Sequence, residues 1–342
     1  MAEKVSTQVL KAAPRPVNED AAKIANAAVK HGAAILRKGG LVAFPSETVY
    51  GLGADATNPT AVARIFEVKQ RPQFNPLIVH LADASWLERC VESVPEEANR
   101  LAERFWPGPL TLVLPKRAVI PDIVTAGLPT VAVRVPSHPI AHALIVEADL
   151  PMAAPSANRF GHISPTTAQA VAEDLSGSIE LILDGGHTEH GLESSVVAFG
   201  ASGPRLLRPG PITREELSKC LGRDVALASM AAGAPESPGQ LQRHYAPHTP
   251  LKLVTSSTAF VPLHGKKAGL LAFRRTLSSK SFETIEVLSM SGDLCEAAAN
   301  LFSAMRRLDE AGLDLIVAES IPETGLGLAI MDRLRKAAAP RV

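Results

Sequence analysis

The chain has 342 residues, 46% of them hydrophobic, which suits two domains of ordinary size, each with its own apolar core. Lys plus Arg and Asp plus Glu stand level at 35 each, so the sequence lacks the basic excess of a protein whose main work is coating nucleic acid. Its cysteines, Cys90, Cys220 and Cys295, form no CxxC pair, which fits a reducing compartment and offers no thiolate metal site.

Residues 1–17 are polar and read as a loose N-terminal arm. They lack the apolar stretch of a secretory signal, and no window of the chain approaches the ~20 apolar residues needed to cross a bilayer, so a soluble, cytoplasmic protein is expected. From 18 to 223, apolar runs alternate with helix-like stretches, predicting an α/β domain built on a large sheet. Residues 41–44 read as a buried strand. Asn58 then caps a helix whose first residue is Pro59 and whose apolar face carries Val62, Ile65 and Phe66. Further strands are expected at 77–81, 110–114 and 131–135. Ser164 followed by Pro165 repeats the cap-then-proline pattern and predicts a helix from there to Leu175. Strands follow at 181–183, 195–199 and 205–207, and Thr213 with Glu216 three residues on spells a capping box. Residues 224–250 shift to Ala, Gly, Ser and Pro and read as a linker. The remainder, 251–342, reads as a smaller α/β unit with strands at 251–254, 269–273 and 313–318 and helices at 293–310 and 327–338.

Polar residues concentrate at strand exits, where open α/β sheets bind ligands. The segment from Pro45 to Gly53 holds Ser46, Glu47, Thr48 and Tyr50 between glycines and a buried strand; taken alone, a plain strand-exit turn explains it equally well. Lys69 and Arg71 end a helix, where the helix dipole alone favours them. Arg134 and Arg208 bring further cations to strand ends, and four such groups together can clamp a polyphosphate. A lone His80 closing an apolar strand is more often structural than a ligand. Ser156, Asn158 and Ser164 offer hydroxyl and amide groups close to an expected helix start, a natural anion site, though an ordinary N-cap is an equal reading of Ser164. His187, Glu189 and His190 lack a further ligand at useful spacing, so no metal site is assigned there. Neither a Walker phosphate loop nor a GxGxxG is present, so ATP, if bound, is held by dispersed contacts.

These stretches, with Lys69-x-Arg71 and Ser156-x-Asn158 as the most characteristic pairs, resemble the threonylcarbamoyl-adenylate synthases. The linker sequence from His244 to Pro247 and the ending from Ala329 to Ala338 resemble the longer form of that family. The resemblance implies a YrdC-like open twisted sheet with helices over 18–223, a linker or lid at 224–250, and a smaller Rossmann-like α/β domain at 251–342. It implies synthesis of threonylcarbamoyl-AMP and pyrophosphate from L-threonine, bicarbonate and ATP. The product serves a separate transferase that modifies transfer RNA next to the anticodon. Position for position, threonine falls to Thr48, His80, Arg134, Ala154 and Ser194. The nucleotide falls to Arg71, Asn75, Thr130, Ser156, Asn158, Ser164, Arg208 and Tyr245. Lys69 and Arg71 are implied as the catalytic charges, with Mg²⁺ arriving on ATP. Ser46 and Ser195 stand where the family commonly has Thr, which keeps the hydroxyls, while Ala198 lacks an acidic group often found there. Two other readings stay open at this point: an RNA-binding module without catalysis, and a carbamoyl-transfer enzyme sharing the same domain.

Overall fold

The structure, a computed structural model, describes residues 5–13, 19–228, 235–261, 265–274 and 281–340. It divides into two compact units. The first comprises Met1–Phe160, Pro165–Glu189 and Glu193–Gln240; the second comprises Gly161–Ser164, His190–Leu192 and Leu241–Val342.

The first unit is built on strands β1 (Gln8–Lys11), β2 (Val42–Pro45), β3 (Tyr50–Asp55), β4 (Ile78–His80), β5 (Leu110–Pro115) and β6 (Thr130–Arg134). It continues with β7 (Met152–Ala153), β8 (Leu181–Asp184), β9 (Ser195–Gly200), β10 (Gly203–Arg208) and β11 (Ala226–Leu227). Together they make one mixed sheet in the order β1-β8-β2-β3-β7-β4-β6-β5-β9-β10-β11. Alternation along β2 shows how the sheet is covered. Leu41 and Ala43 join a core with Val62, Ile65 and Phe66 of the helix Pro59–Lys69. Val42 and Phe44 join another with Ala33 and Leu36 of Glu19–Arg37 and with Leu144 and Ile145 of Pro139–Ala148. Successive side chains of a strand point to opposite faces, so both faces are buried and the strand reads as an unbroken apolar run.

Local signals held where they were local. Asn58 Oδ1 accepts from the backbone N–H of Thr60 and Ala61 with Pro59 following, and Thr213 and Glu216 form both halves of the capping box. Three expectations need correction. Gln8–Lys11, expected within a loose arm, is an edge strand parallel to β8, with Gln8 N–H also donating to Glu180 O at 2.9 Å; residues 1–4 and 14–18 lie outside the described residues. The segment from Tyr50 is not an extended turn but β3, antiparallel to β2 with Pro45 opposite Tyr50. No helix begins at Ser164. The helix is Ala168–Leu175, capped by Thr167, because Pro165 O accepts from Tyr50 N–H at 2.9 Å and Thr166 O from Thr188 N–H at 3.1 Å, which commits both carbonyls to other segments rather than to a helix. Of the expected linker, Ala226–Leu227 pairs with β10, and residues 229–234 lie outside the described residues.

The second unit carries four parallel strands, β12 (Leu251–Val254), β13 (Ala268–Ala272), β14 (Thr284–Val287) and β15 (Leu315–Glu319), in the order β12-β15-β13-β14. Its helices Leu294–Glu310 and Leu326–Ala337 match the two expected ones within a residue at either end. Among the described residues no helix is long and apolar enough to cross a membrane.

Candidate active site

The connection between β2 and β3 is folded back by one hydroxyl. Ser46 Oγ accepts from the backbone N–H of Thr48 at 3.2 Å and of Val49 at 3.3 Å, and donates to Val49 O at 2.7 Å. This tight turn buries Glu47 and Thr48 next to each other, at 2% and 1% exposure. Ser46 Oγ and Thr48 Oγ1 are 2.8 Å apart. Opposite them, Arg134 ends β6 in register with His80 at the end of β4. Arg134 Nη1 donates to Thr48 Oγ1 at 3.0 Å and Nε to Gly108 O at 3.2 Å, and Nη2 pairs with Glu47 Oε1 at 2.6 Å.

This buried charge pair sets the local acid–base properties. Burial pushes the Glu47 carboxyl up, but the charge and hydrogen bonds of Arg134 outweigh it and hold the group below the usual carboxylate value. His80 is pushed down to about 3, first by burial and then by the Arg134 charge, against a smaller opposing pull from Glu47. At neutral pH its imidazole is therefore uncharged. Phe44 meets that ring edge-on with centroids 6.2 Å apart, and Ala154 N–H donates to Ile78 O on the same strand.

The Gly108-Pro109 loop continues the cluster. Gly108 N–H donates to Val135 O at 2.8 Å, and Pro109 O accepts from Ser195 N–H at 3.0 Å. Next to Ser195, Ser194 Oγ lies 2.7 Å from Thr111 Oγ1. Arg208 at the end of β10 donates from Nε to Ser194 O and from Nη2 to Ser194 Oγ, both at 3.0 Å. Gly210 makes this approach possible. A Cβ there would lie 2.4 Å from the backbone nitrogen of Ser195 and 2.7 Å from Glu193 O.

On the other side of the β2–β3 hairpin, Gly51 bridges to Ser156, and Leu52 N–H donates to Pro155 O at 2.8 Å. Lys69 Nζ reaches into this turn and donates to Ser156 O at 2.5 Å and to Asn158 O. Lys69 is 1% exposed, and burial, with the Arg71 charge nearby, lowers its ammonium well below the ordinary lysine value. Arg71 donates from Nε to Asn75 O at 3.1 Å and from Nη2 to Pro76 O at 2.7 Å, and its guanidinium lies over the Phe160 ring. Asn75 is fully buried, yet neither polar atom of its amide has a hydrogen-bond partner. Thr130 begins β6, so Asn75 and Thr130 mark the amino ends of β4 and β6 while His80 and Arg134 mark their carboxyl ends.

The first unit thus joins Thr48, His80, Arg134, Ala154 and Ser194, with Arg208, through one connected set of contacts, and places Lys69 at a helix end and Arg71, Asn75, Ser156 and Asn158 in the adjoining loops. Ser164 and Tyr245 belong to the second unit. There Tyr245, 1% exposed and with a left-handed backbone at φ 60°, stacks on Phe302 at 5.5 Å, and the Arg333 guanidinium lies 5.2 Å from its ring centroid. Arg333 is itself fully buried and pairs with Asp332 at 2.8 Å.

Three residues of the cluster carried no assignment from sequence. Glu47 had a signal, an acidic residue inside a short hydroxyl-rich turn after an apolar strand. Thr111 had a weaker one, as the lone hydroxyl in an otherwise apolar strand. Gly210 had none beyond standing near Arg208. His187 and Glu189 are exposed, and among the described residues no group of three or more His, Cys, Asp or Glu side chains could hold a metal ion.

Comparison with known proteins agrees with this α/β architecture and its paired units. Residues 34–210 match the Sua5, YciO and YrdC family, described as telomere recombination. Residues 212–339 match the C-terminal domain of threonylcarbamoyl-AMP synthase. The threonylcarbamoyl-AMP synthase of Pyrococcus abyssi is 46% identical over 328 residues, covering 92% of this chain and 95% of that protein. That of Bacillus subtilis is 46% identical over 325 residues, covering 92% and 94%. The crystal structure of P. abyssi Sua5 complexed with L-threonine superposes with a TM-score of 0.86 at 42% identity, covering 97% of each chain. The chain belongs to the threonylcarbamoyl-AMP synthase family.

Proposed function

We propose that this protein makes threonylcarbamoyl-AMP from L-threonine, bicarbonate and ATP, releasing pyrophosphate and water, as the activated donor for transfer RNA modification in the cytoplasm. The threonine amine bonds to the bicarbonate carbon with loss of water. A carbamate oxygen then attacks the α-phosphorus, and the bond to pyrophosphate breaks. Amine, carboxylate and leaving group all come from substrates, so the protein needs no nucleophile of its own. Its work is to hold the reactants together and stabilise developing charge.

The observation that carries this reading is the burial of four basic side chains in one unit: Lys69, Arg71, Arg134 and Arg208 are 1%, 7%, 3% and 4% exposed. Arginine and lysine are seldom buried so deeply without a specific use. In this reading the amino acid lies at the carboxyl ends of β4 and β6, against Thr48, His80, Arg134, the Ala154 backbone and Ser194. Arg134 takes its carboxylate, and the uncharged His80 accepts a hydrogen bond. The nucleotide runs back along the strands toward Ser156, Asn158, Arg71, Asn75 and Thr130, with Arg208 on its phosphates. Thr130 and Arg134 stand four residues apart on one strand, about 13 Å at ~3.3 Å per residue, a span suited to an extended nucleotide beside an amino acid. Lys69 and Arg71 act on the leaving pyrophosphate, and Lys69 also fixes the 156–158 turn through its two carbonyl contacts. Mg²⁺ belongs to the substrate here. The described residues gather no carboxylate cluster, so its ligands would be phosphate oxygens and water, where it neutralises triphosphate charge.

The test is pyrophosphate release from ATP with each substrate omitted in turn. Release that requires both threonine and bicarbonate is expected; release indifferent to threonine would sink the assignment.

A further inference from the structure

Arg134 is held by three groups from two segments, and one of them contributes a full negative charge. The Gly108 carbonyl fixes Nε, Thr48 Oγ1 fixes Nη1, and the Glu47 carboxylate pairs with Nη2. A guanidinium has five N–H groups in a rigid fork, so these partners leave one on each terminal nitrogen, the pattern a carboxylate accepts. Glu47 is deeply buried, and taking a carboxylate out of water is costly unless its partner and hydrogen bonds are well placed. Glu47 sits in the turn that Ser46 Oγ closes by accepting from Thr48 and Val49 N–H, so the backbone presenting the carboxylate is fixed without Arg134. The fixed partner is therefore Glu47 and the one being oriented is Arg134.

We propose that Glu47 is the positioning residue of the amino-acid site: its carboxylate sets the guanidinium plane of Arg134 so that two N–H groups face the substrate carboxylate. This rests on the reading of Arg134 as the threonine anchor. Glu47 touches no substrate in this scheme and acts only through Arg134. Its loss should therefore weaken threonine binding while leaving the nucleotide end alone.

The experiment measures KM for threonine and for ATP, with kcat, in wild type, Glu47→Gln, Glu47→Asp, Arg134→Gln and the Glu47→Gln/Arg134→Gln pair. Glu47→Gln should raise the threonine KM by about tenfold to hundredfold, the scale of displacing a binding group by about an ångström, with the ATP KM within about twofold. Glu47→Asp, which keeps the charge, should give a smaller rise, and serves as the measurement if Glu47→Gln does not fold. In the Arg134→Gln background, Glu47→Gln should add nothing to the threonine KM and should raise the melting temperature, because it removes a buried charge left without its partner. An unchanged threonine KM in Glu47→Gln and Glu47→Asp overturns the proposal, as does an equal rise in both KM values. If wild-type turnover proves independent of threonine, the functional reading itself fails, a result separate from these.

Discussion

His80 ties the site to acid stability in a way that can be worked out before measurement. In the folded unit its imidazole titrates at about 3, because burial and the neighbouring Arg134 charge disfavour the cation. In the unfolded chain it titrates near ~6.5. The folded pKa of this base is depressed, so as pH falls the unfolded chain takes up a proton that the folded unit refuses, and stability drops. The loss begins near pH ~6.5 and grows until the pH approaches the folded value. At about pH 5 the gap is worth about 2 kcal/mol, at ~1.4 kcal/mol per pH unit. Glu47 faces the same ring and titrates below its usual value, so it contributes its own acid sensitivity in every variant. The comparison is therefore a difference of differences. Urea unfolding of wild type and His80→Gln at about pH 7 and about pH 5, followed by tryptophan fluorescence, isolates the term. Both tryptophans, Trp86 and Trp106, lie in the first unit, so the signal reports that unit alone. His80→Gln should lose about 2 kcal/mol less than wild type between the two conditions, whatever its stability at neutral pH. An equal loss in both proteins would mean that His80 is not held uncharged and that the site is wetter or more mobile than described.

Other perturbations separate binding from folding. Asn75→Ala removes a buried amide that makes no hydrogen bond within the protein, so its unfolding free energy should stay within about 0.5 kcal/mol of wild type while the ATP KM rises about tenfold. A stability loss with an unchanged ATP KM would make Asn75 a structural residue instead. Gly210→Ala forces a methyl group against the backbone of Ser194 and Ser195; it should cost about 1–3 kcal/mol and raise the threonine KM by shifting Ser194. Wild-type melting and kinetics there would refute the close approach. Arg71→Ala should slow pyrophosphate release by about 10²–10³, the scale of losing a preorganised charge-stabilising donor. A wild-type rate would remove Arg71 from the site.

How much of this was legible in the sequence depends on how local each cause is. The Asn58 and Thr213 caps were readable because every participating atom lies within four residues. Buried strands such as β5 and β6 were readable because covering both faces leaves an apolar run. Edge strand β1 was not, since its exposed side chains carry no pattern and its pairing comes from β8, far along the chain. β3 was mistaken for a turn on account of Gly51 and Gly53. Those glycines are there because Phe44 and Met152 pack where a Cβ would go. In the site, the cations were visible as residue types at the end of a helix (Lys69 and Arg71) and of strands (Arg134 and Arg208). The Glu47–Arg134 pair was not, because the two residues meet only once β2 and β6 are brought into one sheet, and neither sequence neighbourhood mentions the other.

The claim that the first unit joins an amino acid, a one-carbon acid and a nucleotide is tested most directly by the mass of the product. The protein would be incubated with ATP, nitrogen-labelled threonine and carbon-labelled bicarbonate. The account predicts one adenylate carrying both labels. An adenylate with the threonine label alone would mean that the carboxylate of threonine is activated directly, and would contradict it.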